Sequence, residues 1–334
     1  MDISQFGTDL KKAYKVNQNA IDIELLKMVA SKSLQQARFI SDVDDRYIGT
    51  GKRLEKILQP YQKGFTPHTD KLKAYPEETI VKGIKINYEL DSDELDTIMR
   101  SVLNHLTRGK KTKLDTKSAA KIMNWIFSNI AITQAREIET DIFYTGRYAA
   151  PTPGTPGDAV DSVDGIEKKI EDAVTAGKIA EITLGAYTDA TTFAHAEDYV
   201  KQLPAAVKYS GKKILLNCSP EYHEAAFYSR RADLGPNANY SENFEIKLGP
   251  QKNIVLNPLI SMAGKKRIFN TLPGNMIWCH NQTGEENMLT VTPRPDEDVI
   301  RITGQFKAAP GFDFIGIPGG TSDTQLVWSS DEPI

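Results

Sequence analysis

Residues 136–146 read Arg136-Glu137-Ile138-Glu139-Thr140-Asp141-Ile142-Phe143-Tyr144-Thr145-Gly146, and they close the longest helical pattern in the chain. From Thr116 to Thr145 there is neither proline nor glycine, and Ile122, Ile126, Ile130, Ile138 and Ile142 mark one face. A helix of about 30 residues would span roughly 45 Å, more than twice the usual globular length, so it is expected to cross a whole domain. After it comes Ala149-Ala150-Pro151-Thr152-Pro153-Gly154-Thr155-Pro156-Gly157. Three prolines and two glycines in this stretch make it the strongest domain boundary in the sequence.

Upstream of the long helix, Leu95, Ile98, Met99, Val102, Leu103 and Leu106 form the stripe of an amphipathic helix over 92–107. Asp91 can cap it with Glu94, Gly109 can stop it, and a basic link from Arg108 to Lys113 leads on. Before this helix, Ile84, Ile86, Tyr88 and Leu90 alternate with Lys85, Asn87 and Glu89, the pattern of a strand. Residues 41–79 hold a Gly49-Thr50-Gly51 turn, Pro60, Gly64, Pro67 and Pro76, and read as a long extended excursion. Within 51–85, eight cations (Lys52, Arg53, Lys56, Lys63, Lys71, Lys73, Lys82, Lys85) face four acids (Glu55, Asp70, Glu77, Glu78). A first helix is expected over 20–38, from Ile21, Leu25 and Val29.

Downstream the texture is mixed. Asp164 can cap a helix bearing Ile166, Ile170 and Val174 and ending at Gly177; a second runs from Thr191 to Leu203 before Pro204. Lys212 to Asn217 reads as a short buried strand, and Ser219-Pro220 as an N-cap opening a helix through Tyr228. Short strands are expected at 244–248, 254–259 and 276–279. The last sixty or so residues read as β, with Leu289 and Val291, then 299–307, then Phe312 and Phe314 in separate strands. The fold class is α+β.

Composition narrows the function. The 334 residues carry 41 Lys+Arg against 44 Asp+Glu, for a net charge of -3, which argues against a protein that coats nucleic acid by charge. Length suggests about two domains, or one large one. Cys218 and Cys279 are too few for a disulfide scaffold, no apolar run reaches the ~18 residues of a membrane span, and the N-terminus lacks a secretion signal. The expectation is a soluble protein made in a reducing cytoplasm.

Chemical motifs are sparse. No phosphate-cradling glycine loop occurs; Pro318-Gly319-Gly320-Thr321 has no helix after it and reads as a turn. Of five histidines, His68 belongs to the excursion, and His105 and His195 sit on helices with no metal-ligand partner at helical spacing. Cys218, His223, Cys279 and His280 could in principle surround zinc, but no Cys-x-x-Cys knuckle is present, and neighbours on a strand point to opposite faces. Cys218 and His223 could also be read as nucleophile and base, although Cys218 ends an apolar strand. Glu285-Glu286 and Asp296-Glu297-Asp298 read as solvated acidic turns. No catalytic, cofactor-binding or metal site is expected, and no cofactor.

The order of elements is more informative. A basic extended loop, a long unbroken helix, a Gly/Pro loop, a mixed block and returning strands resemble the major capsid proteins of tailed bacteriophages with the Hong Kong 97-type fold. Arg136–Gly146 looks like that family's spine-helix terminus, and Val163-Asp164-Gly165-Ile166 like the turn that follows. The run Ile214-Leu215-Leu216-Asn217-Cys218-Ser219-Pro220-Glu221-Tyr222 is similar to its axial-domain strand and helix start. Ile254–Leu259 and Gly274–Trp278 resemble later axial strands, and Val299–Lys307 with Phe312–Gly316 the closing peripheral sheet. The resemblance covers about 20–317.

The resemblance implies an N-terminal arm at 1–40, an extended loop at 41–90, a peripheral domain at 91–149 and 276–334 with the spine helix at 116–145, and an axial domain at 150–275. It implies a virion structural protein, not an enzyme. The chain would self-assemble in the host bacterial cytoplasm into hexamers and pentamers of an icosahedral head enclosing double-stranded DNA without sequence-specific binding. Portal, scaffolding and decoration proteins are the implied partners, with no membrane. Because the folded pattern begins by about residue 20, scaffolding is expected from a separate protein. On this reading Ile57, Leu58, Tyr61, Phe65, Leu72 and Tyr75 are covered by a neighbouring subunit. Two alternatives stay open: an encapsulin-like nanocompartment shell, and a soluble cytoplasmic thiol enzyme using Cys218 and His223.

Overall fold

The computed structural model describes residues 33–53, 63, 73–91, 93, 94, 97, 116–234, 245–282, 289–294 and 296–331. The strands are β1 (Arg38–Ile40), β2 (Arg46–Arg53), β3 (Lys73–Ile80), β4 (Lys82–Asp91), β5 (Ile214–Cys218), β6 (Lys247–Leu248), β7 (Ile254–Pro258), β8 (Phe269–Thr271), β9 (Met276–His280), β10 (Leu289–Arg294), β11 (Val299–Phe312) and β12 (Val327–Ser329). The helices are α1 (Thr116–Glu137), α2 (Ile166–Thr175), α3 (Thr192–Gln202), α4 (Ala205–Lys208) and α5 (Pro220–Leu234). The mixed α+β reading stands.

β11 organises the first sheet. Its first half is flanked by β10 on one side and β4 on the other, and its last five residues pair with β9, which in turn carries β1 in parallel. Beneath this sheet lies a core that includes Ile138, Ile142, Phe143, Ile166, Ile170, Trp278, Phe306 and Phe312. Burying each such side chain contributes about 1.5–3 kcal/mol. The second sheet runs β12-β8-β5-β7-β6, with β5 and β7 parallel. Its core holds Ile214, Leu216, Ile254, Leu256, Tyr199, Tyr222 and Trp328. The apolar runs at 214–216 and 254–256 are what strands buried on both faces require.

The long helix departs from expectation at its end. The α geometry stops at Glu137, and Ile138–Ile142 form a wider π turn closed by the Phe143 N–H donating to the Ile138 carbonyl. The extra residue in that turn re-aims the chain, so that Ile138, Ile142, Phe143 and Tyr144 are all at most 2% exposed. Glu139 is buried as well, and both its oxygens accept from Ser33: Oε2 from the backbone N–H at 3.1 Å and Oε1 from the hydroxyl at 2.6 Å.

Immediately beyond, two backbone segments cross. Gly165 N–H donates to the Gly146 carbonyl at 2.8 Å, Ile166 N–H to Phe143 and Glu167 N–H to Tyr144. A Cβ on Gly165 would sit 2.5 Å from the Tyr144 oxygen, and one on Gly146 2.4 Å from the Val163 oxygen. Only glycine permits this approach. Asp164 does not cap α2: Gly165 occupies the N-cap, and Asp164 Oδ1 accepts from the Tyr148 N–H instead.

Other expectations are met or corrected locally. Glu94 N–H donates to Asp91 Oδ1 at 2.7 Å, the capping contact expected there. Ser219 Oγ accepts from the Tyr222 N–H at 3.2 Å with Pro220 first in α5, which continues to Leu234. Pro318–Thr321 is a turn, closed by Gly320 N–H on the Ile317 carbonyl. Residues 299–312 are one unbroken strand, because Pro310 and Gly311 are accommodated in the ladder opposite Trp278 and Ile277. Gly49-Thr50-Gly51 is not a turn but the middle of β2. The first helix does not reach residue 38: Leu34–Gln36 form a 3-10 turn and Arg38–Ile40 a strand. Its earlier part (20–32), the body of the 92–107 helix and the 108–113 link lie outside the described residues.

Candidate functional site

The zinc constellation is not assembled. Cys218 ends β5 in the second sheet, whereas Cys279 lies in β9 of the first, each 0% exposed. Among the described residues no group of three His, Cys, Asp or Glu is placed to hold a metal ion. Cys218 Sγ faces the Asn257 carbonyl at 3.8 Å, and burial pushes the Cys279 thiol up to about 12. His223 is half-buried on α5, and His280 lies edge-on against Phe39 with ring centroids 6.0 Å apart. His195 Nδ1 pairs with the Tyr222 hydroxyl at 2.9 Å beneath the Tyr187 ring, and burial lowers its pKa. His68, His105 and Glu285-Glu286 lie outside the described residues. Glu297 is not merely solvated: together with Glu89 it holds Arg301 in an ion pair.

What the fold presents instead is the excursion, built as a two-stranded ribbon on the first sheet. β2 and β3 pair antiparallel from Arg46↔Ile80 to Arg53↔Lys73, and Val81 alone separates β3 from β4. Tyr47, Gly49 and Gly51 share one face with Thr79, Glu77 and Tyr75. That face lies on residues 311–314. A Cβ on Gly49 would come within 2.1 Å of the Asp313 carbonyl oxygen, and one on Gly51 within 2.0 Å of the Phe314 ring. A Cβ on Gly311 would meet Thr79 Oγ1 at 2.3 Å. The missing side chains let backbone lie against backbone.

Polar contacts fix the placement. The Tyr47 hydroxyl donates to Asp313 Oδ1 at 2.8 Å, and Arg38 of β1 pairs with Asp313 Oδ2 at 3.0 Å. One carboxylate thus ties β1, the ribbon and the end of β11. Burial, then the bond to Asp313, raises the Tyr47 pKa. Lys178 reaches Glu77 at 2.9 Å. The opposite face stays open: Ile48 is 54% and Ile80 42% exposed, beside the exposed Arg46–Glu78 pair. Of the residues expected to be covered by a neighbour, Tyr75 is half-buried; Ile57, Leu58, Tyr61, Phe65 and Leu72 lie outside the described residues. Asp313 and Gly311 were not singled out in the sequence. The signal for the ribbon was the two-residue spacing of Gly49 and Gly51, which puts both on one strand face.

No helix among the described residues is long and apolar enough to cross a membrane. No family model matches the chain, and no curated protein matches it. Solved structures do. A chain of the satellite phage P4 procapsid superposes with a TM-score of 0.58 at 9% identity, covering 95% of this chain and 91% of that one. The mature capsid of bacteriophage PhiM1 and a structure from Mycobacterium phage Adephagia each give 0.49, at 11% and 10% identity. The first covers 91% of this chain and 88% of its own, the second 91% and 90%. At such identity the likeness is one of fold. The resemblance read from the order of elements is borne out at that level: the chain has the fold of a phage procapsid chain.

Proposed function

We propose that this chain is the major capsid protein of a tailed bacteriophage. It self-assembles into hexamers and pentamers that close an icosahedral head around double-stranded DNA, and the chain itself carries out no catalysis. The observation that carries the reading is the full-length likeness of fold to a procapsid chain. The ribbon supports it physically: one face is fastened to its own sheet by three glycines and Asp313, and the other keeps Ile48 and Ile80 in the open, as an arm reaching a neighbour requires.

The Hong Kong 97-type layout goes with this proposal: an N-terminal arm at 1–40, an extended loop at 41–90, a peripheral domain at 91–149 and 276–334, and an axial domain at 150–275. The two cores support a division of this kind and argue for moving its edges. α2 packs into the first core, and Trp328 of β12 into the second. Portal, scaffolding and decoration proteins are the partners this role calls for, with assembly in the host bacterial cytoplasm. The test is expression of the full chain, size-exclusion chromatography and electron microscopy, with and without a co-expressed scaffolding protein. Closed shells of uniform size are expected; small oligomers under every assembly condition would sink the proposal.

A further inference from the structure

A strand at a sheet edge exposes a row of unpaired backbone N–H and C=O groups and so invites another chain. β4 provides ten residues of such an edge. One side is bonded to β11 from Lys82↔Ala308 to Asp91↔Val299, and among the described residues no strand lies on the other. Ile84, Ile86, Tyr88 and Leu90 share one face; Lys85, Asn87 and Glu89 share the other. Ile84 and Leu90 are buried, Ile86 is half-buried and Tyr88 is 42% exposed, so the apolar row is uncovered in its middle.

An added strand must continue that row. Residues directly opposite in an antiparallel pair point to the same face, so two copies of β4 match only where even-numbered positions oppose even. The register centred on Asn87 does more. It sets Ile84 against Leu90, Ile86 against Tyr88 and Lys85 against Glu89, each pair occurring twice by symmetry. Cross-strand pairs of these kinds are favourable ones. Glu89, held by Arg301 at 2.6 Å within its own chain, gains a second cation. Neighbouring registers are poorer: centring on Ile86 leaves Lys85 opposite Asn87, and centring on Tyr88 sets Asn87 against Glu89 and shortens the ladder. An edge lysine ordinarily repels an added strand; here an acid of the same strand answers it.

The geometry points to a two-fold contact in which β4 of one copy pairs antiparallel with β4 of a second about Asn87, joining two five-stranded sheets. Self-complementarity is what an isologous contact requires, and it selects a second copy as the occupant. The contact rests on the self-assembly reading only in that choice.

Asn87→Cys in the full chain, mildly oxidised, provides the test. Opposed Cα atoms in such a pair lie about 4.5–5.5 Å apart, within disulfide reach, whereas two copies of Lys85→Cys would be roughly 13 Å apart. Cys218 and Cys279 are buried and do not compete. Disulfide-linked dimer is expected at about ten times the Lys85→Cys yield, and a mixture of Lys85→Cys and Glu89→Cys chains should cross-link to each other. Equal yields from the two single variants, or none, overturn the contact. Shells that form without the Asn87 cross-link remove this contact and leave the self-assembly reading; cross-linked dimers that never form shells do the reverse.

Discussion

The second sheet and the β2–β3 ribbon solve the problem of β stability in opposite ways. In the second sheet, β5, β7, β8 and β12 bury nearly every residue, and Ile214, Leu216, Ile254 and Leu256 are each at most 3% exposed. Five strands and an apolar filling hold it. The ribbon has only two strands, which are marginal on their own, and its inner face carries two glycines. It stays in place because residues 311–314 accept it closely and Asp313 and Lys178 pin it. One region carries its stability within itself. The other borrows it from an adjoining surface and keeps a face free to lend.

The largest effect is expected at the crossing beside Tyr144, whose ring stacks on Phe269 of β8 in the second sheet. Gly165→Ala would press a methyl group against the Tyr144 carbonyl with nothing soft to yield, and φ there is an ordinary -80°. A loss of about 3 kcal/mol or more in urea denaturation is expected, felt in both cores. Gly49→Ala is the discriminating change. Its methyl would meet the Asp313 carbonyl, so the ribbon should lift at a cost of about 1–3 kcal/mol. Hydrogen exchange should quicken in 46–53 and 73–80 while the amides of β5 and β7 keep their protection; uniform loss would mean that the two regions are not independent. The smallest effect is expected from pH, and in the second sheet's neighbourhood alone. Burial lowers the His195 pKa, so the unfolded chain, titrating at about 6.5, takes up the proton first. Stability present above that pH should decline as pH falls below it, with hydrogen exchange of the β5 and β7 amides as the monitor. His195→Gln should flatten this dependence, and an unchanged slope would exclude His195 as its source.

The apolar runs of the second sheet were legible because a strand buried on both faces writes itself as consecutive Ile, Leu and Val. The caps at Asp91 and Ser219 were legible for a similar reason, since they are local. The ribbon was legible as an extended excursion but not as a strand pair. Gly49 and Gly51 look like a turn until Asp313, more than 260 residues away, supplies the reason for a missing side chain. In sequence β11 reads as two strands, because nothing local shows that Pro310 and Gly311 continue the ladder to β9. The π turn after Glu137 has no periodicity of its own; it follows from where Phe143 and Tyr144 must be buried. For the candidate site, the residues that fasten the ribbon lie on segments that tertiary contact alone unites.

Val81 is the only residue between β3 and β4, so the ribbon and the first sheet share one continuous length of chain from Lys73 to Asp91. Mechanically this is a tie rod. A pull that reaches β4 along its axis would load the ladder to β11, which extends over ten residue pairs. Loaded in shear, those pairs resist together, whereas the same ladder pulled sideways would peel one bond at a time. The direction in which the ribbon leaves the sheet therefore decides how much tension it can bear.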